Sequence, residues 1–323
     1  MPYGQDAKLA IAFQNSRGTA ASTSSLYLMP FLSESLIPQY PELISQNMEG
    51  RFDEGEAYSG PRQVAGTIVT EAQPITVGVI LKAMFGAPAT VTSGSHYTHT
   101  FKPRTADFSP DEINNPVTGH KNLADGGQAL VFRDLVATRC EFNVSNGEFL
   151  TAGLDFTGGV VGAKVNSIAI GAAVGKKWTW DVTSIELGGA ATTDIDALTI
   201  VVDEQASPRW TLRTQRDPDR VKRDGRRQIR INGTIKFTDQ TEYDTFLAGD
   251  TQELLVTMTG PVEIQSGYYD VFKVDVPAFK YLAYPVAFAD PAELVVSFDG
   301  KADYHVGSGT SIEFTLVNTK AAF

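Results

Sequence analysis

Residues Gly225 to Gly249 read GRRQIRINGTIKFTDQTEYDTFLAG, and residues Gly60 to Gly86 read GPRQVAGTIVTEAQPITVGVILKAMFG. Both begin Gly-x-Arg-Gln, alternate like a strand, pass through Gly-Thr-Ile (Gly66-Thr67-Ile68 and Gly233-Thr234-Ile235), then enter a short amphipathic segment closed by glycine. Self-similarity on this scale is the mark of a duplicated unit. The echo continues downstream, where VFRDLVATRCEF opens at Val131 and VFKVDVPAFKYL at Val271. A further strand follows each, Leu150 to Gly158 and Glu293 to Gly300.

This order sets the expected architecture: mainly β, two tandem modules, each with a long hairpin arm and a short flanking helix. The boundary falls near Gly162, giving a first module over 1–162 and a second over 163–323. Pro74 to Phe85 predicts a helix with Val77, Ile80, Leu81, Met84 and Phe85 at helical spacing, Pro74 in its first turn and Gly86 after its last. In the second copy Thr238 or Asp239 can cap a helix that carries Tyr243, Phe246 and Leu247 on one face. Trp178 to Val182, Ile185 to Leu187 and Ser25 to Leu32 read as strands, the last limited to an edge or bulge by Pro30. Residues 1–24 read as an arm whose only pairing segment contains Leu9, Ile11 and Phe13. The first half also carries an insertion, about 87–128, rich in Pro, Asn, Asp and Gly and longer than an ordinary connection.

The composition bounds the function. With 42% hydrophobic and 10% aromatic residues among 323 the chain can bury a core, and its net charge of -11 argues against wrapping a polyanion. Cys140 is the sole cysteine, so no intrachain disulfide forms, and the expected setting is a reducing compartment or one indifferent to redox. The sequence begins without the basic patch and apolar core of a signal peptide, and no apolar run approaches about 18 residues, so neither export nor a membrane partner is expected.

Motifs that would carry chemistry fail on inspection. Gly158 to Lys164, GGVVGAK, has the wrong spacing for a phosphate loop and no Ser or Thr after the lysine. His96 and His99 fall on opposite faces of one strand, and with His120 they read as members of an exposed polar loop. Cys140 has no histidine beside it and reads as a small buried residue. The chain is not expected to be an enzyme or to need a cofactor or metal.

The two hairpins differ in charge. Between Glu34 and Tyr58 stand six acids and one base, a balance of -5; between Arg209 and Arg230 stand nine bases and three acids, a balance of +6. Head-to-tail assembly needs two different, complementary surfaces. The candidate subunit interface therefore pairs an acidic arm (Glu49, Asp53, Glu54, Glu56) with a basic arm (Arg216, Arg220, Arg223, Arg227) of another copy.

The pattern of strand, long hairpin, Gly-Thr-Ile strand, helix and paired strands resembles the tail tube proteins of long-tailed bacteriophages. The residues that carry it are GRRQIRINGTIKFTDQTEYDTFLAG, VFKVDVPAFKYLAYPV and ELVVSFDG, with the first half a looser match and the insertion after Gly86 a departure. The resemblance implies that the two tandem modules are β-barrels or β-sandwiches, with subunits joined side by side into rings that stack into a hollow tube for DNA delivery into the host. Single-module members form sixfold rings, so two fused modules imply a trimeric ring with pseudo-sixfold symmetry. It further implies self-association as the main partnership, other tail proteins at the tube ends, DNA passing without specific binding along a neutral or negative wall, and a place in the virion after assembly in the host cytoplasm. A non-enzymatic β-sandwich binding or adhesin module is the alternative.

Overall fold

The computed structural model describes residues 6–47, 50, 52–123, 127–166, 170, 175–287 and 293–323. Its described strands form one large antiparallel network together with two small two-stranded arms. The chain is mainly β with two helices. The pairings close no barrel among the described residues.

The central feature is a sheet that runs through both halves. From one edge to the other it comprises the short strands Ser33–Glu34 and Ile37–Gln39, then Gln63–Glu71, Thr151–Val161, Gln128–Ser145, Ile195–Asp203, Gln228–Lys236, Val295–Ala302 and the last residues of Tyr268–Ala283. Its middle is a ladder from Arg139 opposite Asp203 to Ser145 opposite Ala197. Strand alternation places Ile68, Leu154, Cys140, Val202 and Ile229 in one row across this sheet, all buried. A second buried row holds Ala152, Phe142, Ile200 and Ile231. Full burial of each Ile, Leu, Val or Phe side chain among them is worth about 1.5–3 kcal/mol, and these rows put that stabilisation on the line where the halves meet.

A second layer covers this core. Gln252–Gln265, the first part of Tyr268–Ala283, Glu313–Asn318, His96–Phe101 and Ala89–Ser93 pair in that order. The long strand Tyr268–Ala283 belongs to both layers, because its pairing changes from Glu313–Asn318 to Val295–Ala302 along its length. Helix α1 (Pro74–Phe85) is buried on nearly every side, with Pro74 at its first turn and Gly86 after its last, as its sequence predicts. Gly78 lets the Phe323 ring lie against α1, since a Cβ there would stand 2.1 Å from a ring carbon. Helix α2 (Thr241–Ala248) starts where Asp239 Oδ1 accepts from the Thr241 amide at 2.8 Å, and ends at Gly249 in the left-handed region. Tyr243 and Phe246 pack on the core, whereas Leu247 is exposed rather than on the buried face.

Four expectations are corrected. The 87–128 segment is not a loop throughout: it contributes Ala89–Ser93, His96–Phe101 and Val117–Asn122, because its Thr, Tyr, Val and Phe residues suit a half-buried pleat. The N-terminal pairing segment Lys8–Phe13 is part of the body, with Leu9, Ala10, Ile11 and Ala12 buried against Val117–Asn122. Only Tyr27–Leu28 of the 25–32 stretch is strand. Trp180–Val182 forms a short 3-10 turn in place of a strand, and the Trp178 ring is buried against Phe272.

Candidate assembly and channel surfaces

The face of the central sheet turned away from the core is polar, and the register writes out its rows. One row runs Thr67, Asp155, Arg139, Asp203, Gln228. The next runs Gly153, Glu141, Val201, Arg230, Lys301, Lys280. A third runs Glu71, Thr151, Asn143, Thr199, Asn232, Asp299, Ala283. The three rows carry the acids Asp155, Asp203, Glu141, Glu71 and Asp299 and the bases Arg139, Arg230, Lys301 and Lys280, a difference of one negative charge.

Neighbours on this face neutralise one another. Arg139 Nη1 donates to Asp155 Oδ2 at 3.3 Å and its other terminal nitrogen to Glu141, while Thr67 Oγ1 donates to Asp155 Oδ1 at 2.7 Å and Asn143 Nδ2 to Glu141 Oε1 at 2.8 Å. The two carboxylates hold the Arg139 guanidinium firmly protonated, against the opposing effect of its partial burial. The signs interleave around Arg139, whereas Arg230, Lys301 and Lys280 stand in succession across the strands of the second half, so the face is close to neutral in sum and carries one short run of cations.

The arms are the two small sheets, Glu42–Ile44 with Ala57–Ser59 and Ala206–Arg209 with Arg220–Arg223. Their roots touch within one chain: the Arg62 amide donates to the Arg216 carbonyl at 2.9 Å, and the Arg62 guanidinium grips Asp217 at 2.6 and 3.0 Å. That hydrogen-bonded carboxylate raises the pKa of Arg62 further. Of the acidic candidates Asp53, Glu54 and Glu56 are exposed, the last accepting from the Tyr58 hydroxyl at 3.4 Å, while Glu49 lies outside the described residues.

The basic candidates divide. Arg216 is exposed, and Arg220 is partly exposed with Asp219 at 3.4 Å. Arg223 and Arg227 converge instead on Glu204, a fully buried carboxylate; Arg227 Nε donates to it at 2.8 Å, and Arg223 bonds it while also reaching Asp107 at 3.1 Å. Arg227 further donates to the Arg104 carbonyl at 3.1 Å. Glu204 escaped the sequence reading because an acid following Asp203 at a strand end looks like an ordinary solvated turn. The same arms carry exposed apolar side chains that charge counting overlooked, among them Tyr40, Leu43 and Phe52 on one and Leu212 on the other.

The three insertion histidines are structural neighbours of the core and not an exposed loop. His99 is fully buried, its Nε2 donating to the Lys320 carbonyl and its Nδ1 accepting from Thr90 Oγ1, both at 2.9 Å. His96 is buried beneath Tyr268, at 4.2 Å between ring centroids, and His120 is buried on Val117–Asn122. Burial lowers the pKa of both His99 and His120. Among the described residues no cluster of three or more His, Cys, Asp or Glu has the geometry of a metal site, and no helix is long and apolar enough to cross a membrane. Cys140 is buried, and desolvation pushes its thiol pKa far up.

No curated protein matches the chain in sequence. A family model described as phage tail tube protein matches residues 4–317, a span that takes in the central sheet, both arms and both helices. With nearly the whole chain covered by that match, the protein belongs to the phage tail tube protein family.

Proposed function

We propose that the chain is the repeating subunit of a hollow tail tube, three copies to a ring with pseudo-sixfold symmetry, and that the polar face of the central sheet lines a bore through which phage DNA passes into the host. The observation that carries this reading is the continuity of that sheet across both halves. A single chain thereby presents one unbroken wall whose charges differ by one and whose opposite face is the core. Along a wall whose charges nearly cancel, DNA passes without specific binding.

Two modules, 1–162 and 163–323, account for the wall. In each half the Gly-Thr-Ile glycine stands opposite a phenylalanine, Gly66 across from Phe156 and Gly233 across from Phe298. Each Gly-Thr-Ile strand is flanked on its other side by the strand that leads into an arm. Copies of the chain are its main partners, with other tail proteins at the tube ends, and assembly takes place in the host cytoplasm before the tube joins the virion. The acidic arm around Glu49, Asp53, Glu54 and Glu56 and the basic arm around Arg216, Arg220, Arg223 and Arg227 set the register between copies.

Electron cryomicroscopy of the purified protein tests the proposal. Rings or tubes with three chains per layer and Asp155, Glu141, Arg230 and Asp299 on the inner wall are expected. Monomers at every concentration and ionic strength, or an outer location for those residues, would overturn it.

A further inference from the structure

The polar face of the central sheet divides its charge unevenly between the halves. On the first-half strands Arg139 is held between Asp155 and Glu141. On the second-half strands three cations stand in line instead, Arg230 across from Lys301 and Lys301 across from Lys280. Neighbouring strands lie about 4.8 Å apart, so the line is about 10 Å long. Arg230 is exposed, and neither it nor Lys280 forms an ion pair among the described residues. Lys301 reaches Asp303 at 2.6 Å, in a pair whose two side chains stay more than a third exposed.

The acids nearest this line belong to the adjoining rows and have other hydrogen bonds or positions. Asp203 stands beside Gln228, its carboxylate accepting from the Gln205 backbone amide and side chain, both at 2.7 Å. Asp299 stands beside Asn232, one row further along. The corresponding strands of the first half, Gln63–Glu71 and Thr151–Val161, contain no lysine or arginine at all. Gln63 stands three residues before Gly66, as Arg230 stands three before Gly233, and it accepts from the Thr157 hydroxyl at 3.2 Å. The line of cations is therefore confined to one half of the wall.

We propose that Arg230, Lys301 and Lys280 form a contact track for the phosphate backbone of duplex DNA, one track to each chain; this deepens the tube reading above and rests on it. The planar guanidinium of Arg230 meets a phosphate with two parallel N–H donors, whereas the lysines act as compact point charges. Contacts of this kind carry no sequence information, so passage stays independent of sequence. Each phosphate neutralised releases about one counterion, and three cations beside two acids make a weak, salt-sensitive grip and not a clamp. With three chains to a ring, the duplex meets cationic and acidic sectors in alternation around the bore.

Fluorescence anisotropy of a short labelled DNA duplex with assembled tubes at about 50 mM salt tests the track. Wild-type tubes should bind the duplex, and binding should fall as salt rises. The combined Arg230→Gln, Lys280→Gln, Lys301→Gln chain should melt as wild type does, form tubes, bind at least fivefold more weakly, and flatten the log–log salt slope by about 1–3. Arg230→Gln alone, on a strand flanked on both sides, should show part of both changes and serves where the triple variant fails to assemble. Arg213→Gln with Arg216→Gln on the basic arm should leave binding unchanged. Wild-type tubes that ignore the duplex, track variants that bind as wild type does, or loss confined to the arm variant overturn the track and leave the tube reading standing. Failure of the wild-type chain to assemble, or a tube with Arg230 on its outer surface, overturns both.

Discussion

Arg139, from the first half of the chain, stands directly across the strand ladder from Asp203 of the second. Their row continues through Asp155 on one side and Gln228 on the other, so the polar face has no seam where the halves meet. On the opposite face Cys140 and Val202 make the same crossing inside the core.

Because that crossing is buried, the halves should unfold together. Calorimetry is expected to give one transition with matching calorimetric and van't Hoff enthalpies. Val202→Ala should lower it as a whole, at a cost of about 2 kcal/mol from lost burial and a residual cavity. Two separable transitions, with only one responding to Val202→Ala, would contradict the coupling.

Glu204 is the anchor of the basic arm. Glu204→Ala removes the acceptor shared by Arg223 and Arg227 and should cost about 3–5 kcal/mol in urea unfolding, because two guanidinium groups lose a buried counter-charge. Arg223→Gln alone should cost less, since Arg227 keeps Glu204 paired. Equal stability of wild type and Glu204→Ala would remove the anchor role.

Charge reversal at the arm surface is best made where the one internal pair broken, Arg220 with Asp219, is partly exposed. Arg216→Glu with Arg220→Glu should leave the melting temperature nearly unchanged and slow assembly, since exposed pairs contribute only about 0–1 kcal/mol each and act chiefly on encounter. Reversal of Asp53, Glu54 and Glu56 to lysine should restore part of the rate. Light scattering at several salt concentrations reads both effects, and unchanged kinetics in the first variant would dismiss arm docking.

Acid should weaken the fold through its buried histidines. Burial holds His99 and His120 below the ordinary histidine pKa, so just below about 6.5 the unfolded chain binds more protons than the folded one. The stability they contribute is complete above that value and falls as pH drops through the lower folded values. His99→Gln should be less stable at neutral pH and show a flatter slope between about pH 5 and 7. A slope identical to wild type would locate the pH dependence elsewhere.

The Gly-Thr-Ile glycines should not tolerate a side chain. A Cβ at Gly66 would lie 2.2 Å from the Ser35 carbonyl oxygen, and one at Gly233 would lie 2.6 Å from that of Ala197 and 2.7 Å from the Phe298 ring. Gly66→Ala and Gly233→Ala should each cost about 1–3 kcal/mol, with Gly147→Ala as a control for a positive-φ turn in open space. Melting curves that ignore the first two changes would show that the strands shift freely.

Periodicity alone determined both helices, their closing glycines and the Gly-Thr-Ile strands, because turn chemistry and apolar spacing act over a few residues. The charge contrast of the arms and the resemblance to tail tube proteins were also legible in GRRQIRINGTIKFTDQTEYDTFLAG and its earlier echo. Only the tertiary structure decided which strands of one half meet those of the other, since pairing Arg139–Ser145 with Ala197–Asp203 depends on contacts some sixty residues apart in sequence that no local pattern encodes. For the same reason His99 read as a loop residue until Glu313–Asn318 paired over it, and Arg223 and Arg227 read as free cations until the fold buried Glu204 between them.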